Sequence, residues 1–74
     1  MRYFIIETRY DTGRKYFRGL SVSTKYAAER DLAKRAGSGL GALAIESYPT
    51  VTAAATAVAD HNKPLPVFAP RVAA

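Results

Sequence analysis

Arg2-Tyr-Phe-Ile-Ile-Glu-Thr-Arg-Tyr-Asp-Thr-Gly-Arg-Lys-Tyr-Phe-Arg-Gly-Leu-Ser-Val22 is the stretch whose reading decides the fold. Residues 2–10 are dense in Tyr, Phe, Ile and Thr, types that suit a pleated surface, and Asp11-Thr12-Gly13 supplies turn chemistry directly after them. A three-residue loop ending in a left-handed glycine closes such a pair of strands into a hairpin. It sets Phe4 opposite Leu20, Ile6 opposite Arg18 and Tyr10 opposite Arg14. Side chains alternate along a strand, so Phe4, Ile6, Tyr10, Tyr16, Leu20 and Val22 form the expected core face. Tyr3, Ile5, Glu7, Arg9, Lys15, Phe17, Gly19 and Ser21 form the other, with Arg9 across from Lys15, which is unfavourable unless an anion relieves it. A two-residue Thr12-Gly13 turn is the rival; it pairs Glu7 with Arg18 and divides the apolar residues between faces. Sharper segregation favours the three-residue loop.

Downstream, Ser23 is placed to cap a helix over 24–36 that Gly37 closes, with Ala28, Leu32 and Ala36 as a narrow apolar stripe. Gly37-Ser38-Gly39-Leu40-Gly41 has the composition of a phosphate-cradling loop. Those loops follow a strand and open a helix, however, and here the order is reversed, so a plain helix-to-strand connection is expected. Residues 42–48 read as a strand ended by Pro49. Thr50 can cap a second helix over 51–61, with Val51, Ala54, Ala55 and Val58 on one side. The expected architecture is therefore α+β, ββαβα, with a three-stranded antiparallel sheet in the order 2-1-3. Both helices are expected on the Phe4/Ile6 face. The domain spans residues 1–62, and residues 63–74, punctuated by Pro64, Pro66 and Pro70, form an extended tail that can dock through Val67 and Phe68.

The chain has 74 residues, no cysteine and one histidine. A domain of this size without disulfides buries a thin core, which leaves little room for a cleft. A single His61 beside Asp60 does not make a triad, and one histidine with scattered carboxylates is too little for a metal site. Glu7 and Glu46 can be neighbours on adjacent strands, but no pocket is implied around them. The expectation is a non-enzymatic protein with no cofactor. Charges within the first ten residues interrupt any signal or membrane-spanning stretch, so a cytoplasmic protein is expected. The net charge of +5 is uneven, since all the excess falls within residues 1–36. An acidic partner follows, nucleic acid before others. On an open sheet face, Arg and Lys would meet phosphates while Tyr3 and Phe17 stack on bases. A homodimer through Tyr3, Ile5 and Phe17 is the structural alternative.

Two family likenesses bear on this. Asp11-Thr12-Gly13-Arg14-Lys15, followed by Ser23-Thr24-Lys25-Tyr26-Ala27-Ala28-Glu29, resembles the arm-binding domains of tyrosine integrases. That likeness implies DNA contacts at Arg9, Arg14, Lys15 and Arg18. Over residues 3–46 the chain also resembles small phage anti-CRISPR proteins of the type I-F inhibitor kind, through Tyr3-Phe-Ile-Ile-Glu7, Ser21-Val-Ser23 and Ile45-Glu46. This implies a phage-encoded inhibitor that blocks a host CRISPR effector-like nucleoprotein complex by occupying its nucleic-acid groove. The expected contact residues are Tyr3, Arg9, Arg14, Lys15, Phe17 and Arg18 on the hairpin, with Arg30 and Lys34 on the first helix.

Overall fold

The strand β1, Arg2–Arg9, runs through the middle of the sheet in the computed structural model, which describes residues 1–37 and 39–67. It pairs antiparallel with β2, Lys15–Phe17, on one side and with β3, Gly41–Tyr48, on the other, giving the expected order β2-β1-β3. Helices α1, Lys25–Arg35, and α2, Val51–Asn62, complete the ββαβα chain. Each helix starts on a threonine hydroxyl: Thr24 accepts from Ala27 N–H at 3.2 Å and Thr50 from Ala53 N–H at 3.0 Å. Thr24 thus caps α1 in place of the expected Ser23. Past its other end Gly37 adopts φ 82°, a conformation that favours glycine.

The helices lie on opposite faces of the sheet, which corrects the expected one-sided packing. Phe4, Ile5, Ile6 and Glu7 are four consecutive buried residues. Because neighbours in a strand point to opposite faces, such a run requires cover on both. On the Phe4/Ile6 face, α2 contributes Ala54 and Val58, with Tyr48 packed against the cluster. On the Ile5/Glu7 face, α1 packs on β1 and β3 and buries Ala28 to 1% exposure. Small alanines suit both helices to this role, since they let a helix approach a sheet closely. They also keep the core thin. Val51 and Ala55, expected on the buried side of α2, are exposed.

The hairpin register also differs from expectation. Ile6 stands opposite Phe17, Glu7 opposite Tyr16 and Thr8 opposite Lys15. The loop has four residues, Tyr10 to Gly13. Gly13 N–H donates to Arg9 O at 3.0 Å and Arg9 N–H to Arg14 O at 2.9 Å, with Gly13 at φ 75° as the loop chemistry anticipates. One extra loop residue reverses every face assignment on β2. Phe17 joins Phe4, ring centroids 5.5 Å apart, and Tyr16 moves to the other side. Beyond Arg18, Gly19 at φ 84° makes a bulge before Tyr3 and Val22 pair again, and Leu20 is thrown outward at 91% exposure.

What favours this register is visible at the end of α2. The side-chain amide of Asn62 accepts from Lys15 N–H at 2.6 Å and donates to Lys15 O at 2.8 Å. It occupies the outward main-chain groups of β2 as another strand would. Arg14 reaches the end of the same helix, donating to Asn62 O and Leu65 O at 3.0 Å each, and His61 Nε2 donates to Gly13 O at 2.8 Å. Leu65 N–H turns back to Asn62 O at 2.9 Å, so the segment after α2 begins as a turn. Val67 is 61% exposed, and Phe68 with residues 69–74 of the expected tail lies outside the described residues.

Replacing Asn62 by Ala leaves the part-buried N–H and C=O of Lys15 without their partners, at a cost of about 1–3 kcal/mol. We expect a lower urea midpoint and faster hydrogen exchange at the Lys15 amide. An unchanged midpoint would show that the amide does not hold the hairpin.

Candidate functional site

With both sheet faces covered, the open basic face expected from the sequence does not form. Its members are split between the faces and most are occupied. Ile5, at 4% exposure on the α1 side, and Phe17, on the α2 side, cannot share a surface, which also removes the expected dimer contact. Tyr3 is half-buried and pairs with Val22. Arg9 binds Asp11 through two parallel bonds of 2.9 and 2.7 Å, and Lys15 binds Glu46 at 3.0 Å. Arg14 is spent on the α2 terminus and on Tyr16 OH at 3.2 Å. Arg18 lies 3.9 Å from Glu7. The anions that relieve the hairpin's cations thus come from the chain itself.

Glu7 and Glu46 are not neighbours. Glu46 stands opposite Phe4 on the α2 side, while Glu7 is buried on the α1 side. There the connection from α1 to β3 wraps the Glu7 carboxylate: Leu40 N–H donates to Oε2 at 2.9 Å, and Gly39, at φ 87°, leaves no room for a Cβ beside that oxygen. A glycine-rich loop does hold an anion, but the anion is internal. Among the described residues no group of three or more His, Asp or Glu is placed to hold a metal ion, and no helix is long and apolar enough to cross a membrane.

The two remaining expected residues fare differently. Arg30 and Lys34 lie on α1 at i and i+4, and Tyr26 precedes them by one more turn. They line a shallow groove with Val22, Ala27 and Asp31. Tyr26 is 70% exposed, and the Arg30 guanidinium lies 5.9 Å from its ring centroid. Asp31 is turned to Arg35 at 3.0 Å and does not neutralise them. Tyr26 is not among the contact residues expected from the sequence. The signal was present: an aromatic at i, with cations at i+4 and i+8, on a helix whose buried side is Ala28. Comparison with protein-family models, curated proteins and solved structures finds no match.

Several ionisable groups are shifted from their ordinary values by their partners in the fold. The Arg9 bond holds Asp11 down to about 2 from its ordinary 3.8, against a smaller desolvation effect. At Glu46, burial pushes upward from 4.5, but bonds from Tyr48 OH (2.6 Å) and Lys15 outweigh it and the net direction is down. Tyr48 is raised above 10.0 by that bond to Glu46. For the two carboxylates, the folded value lies below the unfolded one, so their stabilisation is present above 3.8 and 4.5 and is lost as pH falls through the folded values. For Tyr48 the stabilisation is present below 10.0 and lost as pH rises through the raised value. We expect urea midpoints that are flat between these limits and fall on the acid side, with Glu46→Gln flattening part of the acid limb. A wild-type acid limb retained in full by the variant would contradict this.

Proposed function

We propose that this is a non-enzymatic nucleic-acid-binding protein that contacts its ligand through the solvent face of α1. The observation that carries this is the grouping of Tyr26, Arg30 and Lys34 along one helix face, exposed and without a carboxylate partner among the described residues, in a chain of net charge +5. Cations on one helix face can meet phosphates, and the exposed aromatic one turn before them offers a stacking surface that any base can use. Single-stranded nucleic acid suits this arrangement best, because its bases are free to stack.

The inhibitor reading implied by the likeness at Tyr3–Glu7 takes a modified form. A groove that holds nucleic acid is itself basic, and a chain of net charge +5 is repelled from it. A phage-type inhibitor with this charge would bind the exposed nucleic acid of an effector complex, or an acidic subunit surface, rather than fill the groove. Capture from a host lysate with and without nuclease separates these forms, since only contact with nucleic acid is lost on digestion.

Fluorescence anisotropy with a labelled oligonucleotide tests the main reading. Affinity should fall with salt, and the Arg30→Ala, Lys34→Ala double variant should bind more weakly with a log–log salt slope shallower by about 1.4 for a single strand, about 0.7 per lost phosphate contact. Arg9→Ala should leave binding unchanged. No binding at low salt, or equal loss from Arg9→Ala, would sink the proposal.

A further inference from the structure

The two edges of the sheet are finished differently. On the β2 edge, Asn62 takes up the outward N–H and C=O of Lys15. Arg9 N–H donates to Arg14 O and Arg18 N–H to Ile5 O, so the odd-numbered residues of β1 bond toward β2 and the even-numbered ones toward β3. Through the pairs Phe4–Glu46, Ile6–Ala44 and Thr8–Ala42, the even-numbered residues of β3 bond inward. The N–H and C=O of Gly41, Leu43, Ile45 and Ser47 therefore point away from the sheet. Among the described residues nothing bonds to them.

An edge of this length is ordinarily guarded by Lys, Pro, a bulge or a covering segment. β3 has eight residues in unbroken register, with no Pro, Lys or Arg. Its one charge, Glu46, is engaged by Lys15 and Tyr48.

We propose that the β3 edge is the interface with a second copy of this chain, paired antiparallel about Ala44 so that one sheet runs through both. Two observations select a second copy. First, the strand is complementary to itself. Centred on Ala44, Leu43 meets Ile45 of the other copy, Gly41 meets Ser47 and Ala42 meets Glu46, so every outward residue meets another outward residue and no like charges are opposed. Shifted to centre on Ile45, fewer outward pairs form; centred on Glu46, two carboxylates oppose each other.

Second, the cations are kept off this side. α1 shares the face of Leu43 and Ile45, and around it Tyr26, Arg30 and Lys34 turn toward Val22 and the β2 side. Leu32 and Ala36 turn toward Gly41 and Leu43. Two chains of net charge +5 would thus meet where each presents small apolar groups, and Leu43 and Ile45, half-buried in one copy, would complete their burial across the axis. The pairing is isologous and closes at two. It leaves both Tyr26 faces free.

Sedimentation velocity and hydrogen exchange without nucleic acid test this independently of any ligand. The wild type should sediment at twice 8.0 kDa in the micromolar range, with slow exchange at the amides of Leu43, Ile45 and Ser47. Ser47→Pro removes an N–H that bonds nothing within one copy, and Ala44→Lys sets two ammonium groups against each other across the axis. Each variant should run at 8.0 kDa with an unchanged circular dichroism spectrum. A wild-type monomer, a species larger than a dimer, or dimers in both variants would overturn the proposal. If the variants fail to fold, the wild-type amides decide: fast exchange at Leu43, Ile45 and Ser47 beside slow exchange at Ala42, Ala44 and Glu46 overturns it.

Discussion

The pair of hydrogen bonds between the Asn62 side chain and the main chain of Lys15 joins the last turn of α2 to the edge of the hairpin, and the register of β2 depends on it. A three-residue edge strand has too few ladder bonds to hold one register alone. The amide acts as a substitute strand at one residue. With Lys15 held there, the loop takes four residues, Phe17 comes to the Phe4 side with the residue still 39% exposed, and Lys15 comes within reach of Glu46. Arg14 and His61 add further bonds between the loop and the same helix end. Sheet edge, turn and helix terminus thus form one unit.

The same packing rearranges the charge. A sequence with nine cations in its first 36 residues reads as a basic hairpin, yet folding brings Asp11, Glu46 and Glu7 to Arg9, Lys15 and Arg18. The exposed Arg9–Asp11 pair contributes little to stability, but all three pairs remove the hairpin's cations from the set available to a partner. The positive surface moves to α1, where Arg30 and Lys34 follow Tyr26 along one helix face. Covering the Ile5/Glu7 face with α1 is what allows this, because the helix itself becomes the outer surface.

The elements were legible for local reasons. Thr50 followed by small helix formers, Gly37 after a helical run, and alternating β-branched and aromatic residues in 2–9 are signals carried within a few residues. Strand order was legible too, since a crossover through α1 leaves β3 room beside β1. The candidate site was legible only in part. Arg30 and Lys34 stand exposed, as their helix positions imply, whereas the placement of the hairpin residues depended on a turn length that Asp11-Thr12-Gly13 leaves open. Segregating apolar residues onto one face assumed a one-sided sheet. Ile5, at the centre of a strand buried on both sides, carried the contrary signal.

By itself the sequence determined the order and approximate places of the strands and helices, that the chain is α+β with β1 central, and that its charge excess is in the first half. Those properties follow from backbone preferences and short-range spacing. Only the tertiary structure decided the face on which each helix lies, the hairpin register and which cations stay free. Each of these turns on contacts between residues far apart in the chain, such as Lys15 with Asn62 and Glu46 and Glu7 with Leu40, for which local propensity carries no information.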